Sequence, residues 1–311
     1  VRASPTRSLF FFVLVAGVAA ITLLWSLEAE TDQEVIDPEF GGAYIEGIAG
    51  SPARVNPLFA RENATDQTLV SLVFAGLTRL DEHGSPFPDM AETWTLSPNG
   101  LTYTFTLRPG LLWHDGIPVT AADVLFTYEL LQAPELPIPP RLADRLAEAT
   151  IAAPDDRTVV ITLPEPYAPL PAYLTLGILP KHSLDGLTMS QVYNSFFNQQ
   201  PVGSGPYRMA RLTPEEADLV ANPAYHLDPP FIQRMELRFY RDEGAVYAAL
   251  RSGEVAAALF QGGIGETGQI DLEVQRGLRV TPMDTGEITY LYLNLNLPKF
   301  QDRRVRQALL Y

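Results

Sequence analysis

The chain has 311 residues and a mass of 34.3 kDa, room for about two domains. Its 46% hydrophobic and 10% aromatic content, at a mean hydropathy of +0.02, excludes whole-chain disorder. Against 22 Lys and Arg stand 37 Asp and Glu, a formal charge of −15 that repels nucleic acid, and there is no cysteine for a disulfide, thiolate metal site or Cys nucleophile.

The chain opens with 20 uncharged residues, Ser8 to Leu27, preceded by Arg2 and Arg7. As a helix this run covers roughly 30 Å, the thickness of a bilayer core. Arginines on the short side keep that end in the cytoplasm and send the rest out. The first reading of residues 1–27 is an uncleaved signal-anchor or transmembrane segment. A cleaved secretory signal is the rival, although Trp25-Ser26-Leu27-Glu28-Ala29 matches a cleavage site poorly. Residues 28–40 hold six acidic residues in thirteen and read as an extended, solvated linker. Either way the remainder is expected outside the cytoplasm, where 27 prolines suit a loop-rich protein.

From Gly41 strands and helices alternate without a repeat. Gly41 to Ile48 alternates at period two, a first strand. Asn63 to Leu77 spaces Leu69, Leu72, Val73 and Leu77 as a helix, with Thr65 or Asp66 as N-cap. Ser97-Pro98-Asn99-Gly100 turns a hairpin into Leu101 to Leu107. Thr120 to Asp123 forms a capping box for a helix ending before Pro134, and Thr158 to Leu163 is a strand. Thr188 caps a short helix through Phe196, and a glycine turn at 203–207 leads into a strand from Tyr207 to Leu212. Strands follow at Met235 to Tyr240, Val255 to Phe260, Leu278 to Met283 and Thr289 to Asn296. Between the first two lies a helix, Asp242 to Arg251, closed by Gly253. Asp302 caps a last helix that has only begun at Tyr311. A helix so short needs a packing partner. With Val1 at the start, this reads as a fragment of a longer protein.

The chemistry-bearing patterns mostly dissolve on inspection. Gly263-Ile264-Gly265-Glu266-Thr267-Gly268 has dinucleotide-loop spacing, but Ile270, Leu272 and Val274 follow at period two, so no helix N-terminus is expected to hold a pyrophosphate. The four histidines, His83, His114, His182 and His226, have no metal-site spacing and read as loop or surface residues. No nucleophile elbow or P-loop occurs, and nothing singles out a carboxylate pair. The expectation is a protein that is not an enzyme, with no cofactor and no metal site.

An ordered series of motifs says more. Ala91 to Trp94, Leu101 to Gly110, Trp113-His-Asp-Gly116 through Asp123, Gly203-Ser-Gly-Pro-Tyr207, Asn222-Pro-Ala-Tyr225, Arg251-Ser-Gly-Glu254 and Phe300 to Leu309 stand in this order. The series resembles solute-binding protein family 5, the extracytoplasmic receptors of peptide, nickel and related ABC importers.

That resemblance implies an α/β, bilobed, periplasmic-binding-protein-like clamshell with an inserted subdomain, C-terminally truncated so that most of the second lobe is missing. Lobe I would comprise 41–75 and 166–285, the inserted subdomain 76–165, and the hinge crossing with the start of lobe II 286–311. The implied role is binding oligopeptides or dipeptides in the interlobe cleft and delivering them to membrane permease subunits, as a monomer anchored by the N-terminal helix. Oligosaccharide, nickel chelate or another solute is the alternative cargo. A secreted membrane-anchored hydrolase, or an anchored interaction protein that has lost transport, is the alternative class. Candidate ligand contacts are Glu62, Asn63 and Ala64 in a cleft-facing loop, Ser204, Gly205 and Tyr207 in the glycine turn, and Tyr290, Tyr292 and Asn294 on one strand face at the hinge. Trp94 and Trp113 are expected to pack, His114-Asp115-Gly116 to turn, and glycines 203 and 205 to permit an unusual backbone turn. A chain without its second lobe is expected to bind poorly.

Overall fold

The computed structural model describes residues 39–136, 141–261, 263–276, 278–282, 297 and 301–304. The apolar segment 1–27, the expected linker up to residue 38, the strand expected from Thr289 to Asn296 and the end of the helix expected after Asp302 lie outside them. Among the described residues no helix is long and apolar enough to cross a membrane.

Two sheets organise the chain. In the first, β1 (Gly41–Ala49) runs parallel to both β10 (Ile232–Tyr240) and the short β11 (Ala257–Ala258). Antiparallel β9 (Glu216–Ala221) and β8 (Tyr207–Leu212) extend it to the order β11-β1-β10-β9-β8, which leaves β8 at an edge. Consecutive parallel strands of one sheet need a long crossover. Between β10 and β11 the chain supplies one as the amphipathic helix α7 (Glu243–Ser252). Its inner face is Val246, Ala249 and Leu250, Asp242 caps its start, and Gly253 closes it at φ +81°, as the spacing predicts.

The second sheet is antiparallel, in the order β4-β5-β7-β6, from hairpins β4 (Ala91–Leu96)/β5 (Thr102–Leu107) and β6 (Thr150–Asp155)/β7 (Thr158–Thr162). Alternation in β5 puts Tyr103, Phe105 and Leu107 inside and the threonines outside, and Tyr103 and Phe105 lie opposite Ile161 and Val159. Burying a side chain the size of Phe105 contributes about 1.5–3 kcal/mol. Helix α2 (Ala121–Leu131) covers the sheet and starts with the expected capping box, in which Asp123 accepts from the Thr120 N–H. The other Asp123 oxygen accepts from the Lys181 N–H, so this buried carboxylate also fixes the segment that follows. A small hairpin, β2 (Thr78–Leu80) and β3 (Pro86–Pro88), precedes this sheet. The remaining helices are α1 (Ala64–Val73), α3 (Arg141–Leu146), α4 (Leu170–Tyr173), α5 (Lys181–Leu184), α6 (Met189–Tyr193) and α8 (Gly265–Arg276). One apolar core runs from Val55 to Leu237 through both sheets, with Trp113 and Phe105 among its largest members and Trp94 packed at its margin.

Several local expectations fail for identifiable reasons. Helix α1 is capped by Asn63, rather than by Thr65 or Asp66, and it stops at Val73. Phe74 is already extended, so Leu77 enters the core from the following segment. The strand expected over Val255 to Phe260 shrinks to β11, because Val255 turns in against α7 while Leu259 stays exposed. Residues 278–282 form no strand, and Met283 lies outside the described residues. The stretch after the glycine-rich loop is a helix, α8. Of the three residues that suggested period two, only Leu272 is buried, against Ala249 and Leu250, while Ile270 and Val274 face out.

Candidate functional site

Helix α1 organises the candidate residues. Loop 60–64 lies at its N-terminus and the glycine turn 203–207 at its C-terminus, so its ten residues hold the two groups about 15 Å apart. Each end is built differently.

At the N-terminal end a 3-10 turn, Ala60–Glu62, leads into Asn63, whose backbone is extended. The Asn63 Oδ1 accepts from the Thr65 and Asp66 N–H groups at 3.0 and 3.2 Å, and its Nδ2 donates to the Ser51 carbonyl at 3.0 Å. One side chain therefore caps the helix and ties it to the chain leaving β1. Asp66 doubles the tie by accepting from the Ala53 and Arg54 N–H groups at 2.8 and 2.9 Å. Burial pushes the Asp66 pKa up, against the opposing pull of those two donors and the Arg54 charge. The Arg54 guanidinium lies 3.8 Å over the Tyr193 ring, and Tyr193 borders a cavity of about 510 Å³ reaching Glu135 and the start of α6. Ala64 is exposed and Asn63 half-buried; of Glu62 only the backbone is described.

At the C-terminal end the chain is sealed. The Gly205 N–H donates to the Val73 carbonyl at 2.8 Å. A Cβ on Gly203 would lie 1.9 Å from that same oxygen, and one on Gly205 2.6 Å from the Val73 carbonyl carbon. Neither glycine has a positive φ. They are required by the close approach of α1, rather than by an unusual turn conformation. Ser204 is buried, its Oγ without a partner among the described residues, and buried Tyr207 donates its hydroxyl to the Ile232 carbonyl.

His114 closes this end. Its Nδ1 accepts from the Gly203 N–H at 3.2 Å, which leaves the ring proton on Nε2, 3.1 Å from the Gly205 carbonyl. Burial lowers its pKa from 6.5 to about 4, so the ring is neutral at pH 7. The Asn222 amide donates to the same Gly205 carbonyl at 3.1 Å. Three motifs separate in sequence, around His114, Gly203 and Asn222, thus meet at one point. His226 is also internal: its Nε2 stands 2.7 Å from Asp89 Oδ1, both side chains less than a tenth exposed. Histidines 114 and 226 stand in loop segments, as expected, but they are internal rather than surface residues, since an imidazole buries readily once both ring nitrogens or a carboxylate partner serve it. His182 pairs with Asp115 at 2.9 Å, and His83 is exposed. Among the described residues no group of three or more His, Asp or Glu could hold a metal ion.

Of the nine candidate contacts, the structure groups Glu62, Asn63 and Ala64 at one end of α1 and Ser204, Gly205 and Tyr207 at the other. Tyr290, Tyr292 and Asn294 lie outside the described residues. His114, Asn222, Asp66 and Arg54 are structurally decisive and absent from that set.

A family model described as bacterial extracellular solute-binding proteins, family 5 middle, matches residues 85–311. A Brucella ovis protein named as a candidate ABC transporter peptide-binding protein is 31% identical over 274 residues, 87% of this chain and 50% of that one. NikZ of Campylobacter jejuni, solved with Ni(L-His), superposes with a TM-score of 0.70 at 30% identity, over 86% of this chain and 52% of its own. The Bacillus subtilis oligopeptide-binding protein AppA, solved with a nonapeptide, gives 0.71 at 25% identity, over 88% and 54%. The fold is thus the α/β, periplasmic-binding-protein-like one, and the chain spans about half the length of the curated relatives it matches.

Proposed function

Because this chain belongs to the bacterial extracellular solute-binding proteins of family 5, we propose that it is part of the substrate-binding component of an ABC importer. It captures oligopeptides or dipeptides outside the cytoplasm and delivers them to membrane permease subunits. The carrying observation is the likeness to AppA in its nonapeptide complex over 88% of this chain. A nickel chelate is the second reading, favoured by the comparable likeness to NikZ with Ni(L-His).

In this reading residues 41–75 and 166–285 form one lobe, 76–165 the inserted subdomain, and 286–311 the crossing into a second lobe. Solute lies between the lobes and stabilises the closed form through its higher affinity for that form. Glu62, Asn63 and Ala64 face the solute from the N-terminal end of α1, and Tyr290, Tyr292 and Asn294 from the crossing. Ser204, Gly205 and Tyr207 act through α1, because they seat the helix that presents Asn63. For an extended peptide, main-chain hydrogen bonds supply affinity without reading side-chain identity. No step in this cycle makes or breaks a covalent bond. The receptor acts as a monomer, and the apolar segment before residue 28 anchors it at the outer face of the membrane.

Small-angle scattering on the full-length protein tests the reading. Peptide mixtures should reduce the radius of gyration saturably as the lobes close; an unchanged radius across peptides and nickel–histidine would refute it.

A further inference from the structure

Edge strand β8 borders a cavity of about 610 Å³, within the range that takes small organic ligands. Its wall comes from Arg208 and Met209 on β8, from Gln199, Gln200 and Val202 before the glycine turn, and from the His114–Asp115 turn. In register, Arg208 lies opposite Val220, which pairs with Arg234, which pairs with Ala43 near the start of β1. The segment 50–63, which leads into α1, lies beyond the other end of β1. The cavity adjoins the glycine turn at the C-terminus of α1, so the ten residues of that helix, about 15 Å, separate it from Asn63.

The buried Nε of Arg208 has no acceptor among the described residues. A buried donor left unpaired is costly, the more so on a charged group. Its neighbours are engaged elsewhere. Arg211 is answered by Glu216 and Asp218, whose other oxygen takes Arg234. Both His114 ring nitrogens serve the glycine turn. Asp115 holds His182 at 2.9 Å and accepts from the Ile117 N–H at 3.1 Å. Among the described residues no carboxylate pairs with this guanidinium, and Arg208 lines the cavity.

We infer that the cavity beside β8 binds a small organic monocarboxylate, its carboxylate on the Arg208 guanidinium and its apolar body against Val202 and Met209. The guanidinium fork matches a carboxylate in a bidentate pair. Gln199 and Gln200 add exposed amides at the rim. One unanswered cation, an aspartate in the same wall and a net charge of −15 disfavour a dianion. This site is separate from the proposed solute cleft and stands or falls independently of it.

The test is an NMR titration of the ¹⁵N-labelled 311-residue chain with butanoate, following the Arg208 Nε–H resonance, assigned by its loss in Arg208→Lys. Butanoate should shift it saturably, while butanol and inorganic phosphate leave it in place. Arg208→Lys should weaken butanoate binding about tenfold by losing the fork, and Arg208→Met should abolish it. If Arg208→Met does not fold, the wild-type resonance and the Lys variant decide. An unmoved Nε–H, equal binding by phosphate, or butanoate binding that survives in Arg208→Met would overturn the inference. So would a resonance that moves on Asp115→Asn and ignores butanoate, since Arg208 would then be paired within the chain.

Discussion

His114 and Gly203 hydrogen-bond each other in both directions: the His114 N–H donates to the Gly203 carbonyl at 2.8 Å, and the Gly203 N–H donates to the imidazole Nδ1 at 3.2 Å. The pairing requires a neutral ring. A histidine in the second-sheet segment thereby fastens the turn on which the C-terminus of α1 rests.

This pairing makes stability depend on pH in a definite direction. The folded pKa of His114, about 4, lies below its ordinary 6.5. The unfolded chain binds more protons between those values, so stability falls as pH drops from about 6.5 toward 4. The loss amounts to at most about 3 kcal/mol. Urea midpoints at pH 7 and pH 4.5 should differ more for wild type than for His114→Gln; equal slopes would contradict the assignment.

Gly203→Ala places a methyl on the Val73 carbonyl oxygen. Backbone must move to relieve it, at a cost of about 3 kcal/mol or more. Thermal unfolding should show a large drop in Tm. A variant as stable as wild type would mean α1 does not approach so closely.

Asn63→Ala removes the cap of α1 and the link to Ser51. A loss of about 1 kcal/mol is expected, mostly restored in Asn63→Asp, which caps but cannot donate to Ser51. Denaturant curves for the two variants check this; if Asp rescues nothing, the Ser51 link carries the stability instead.

Asp89→Ala strands His226 inside the protein. Leaving a buried ring nitrogen without its hydrogen-bond partner costs about 1–3 kcal/mol. Hydrogen exchange should quicken in β4 and around residues 222–226 together. Acceleration confined to one of them would show that the pair does not couple the two regions.

Much of the fold is legible because local chemistry and tertiary packing agree. Thr120 and Asp123 announce a capping box, Asp242 and Gly253 bracket α7, and the Thr-alternating β5 buries the side chains its period selects. Where they disagree, packing prevails. Ile270, Leu272 and Val274 mimic a strand, yet they lie on a helix whose one fully buried leucine among them, Leu272, packs against α7. Gly203 and Gly205 mark a special backbone, but sequence cannot distinguish a positive φ from a carbonyl pressed against the Cα. The meeting of His114, Gly203 and Asn222 is invisible to spacing because it joins His114 to a turn 89 residues further on, and Asn222 to the same turn, through backbone N–H and carbonyl groups. The motifs mark that these segments matter; only the folded chain shows that they serve one another.

Solute capture is tested most directly by native mass spectrometry of the full-length protein purified from the cell envelope, then challenged with a peptide library. We expect a peptide-bound species that exchanges intact with added peptides and weakens when Asn63 and Ala64 are substituted. A protein that remains ligand-free and indifferent to the library, or that returns the peptides cleaved, would contradict it.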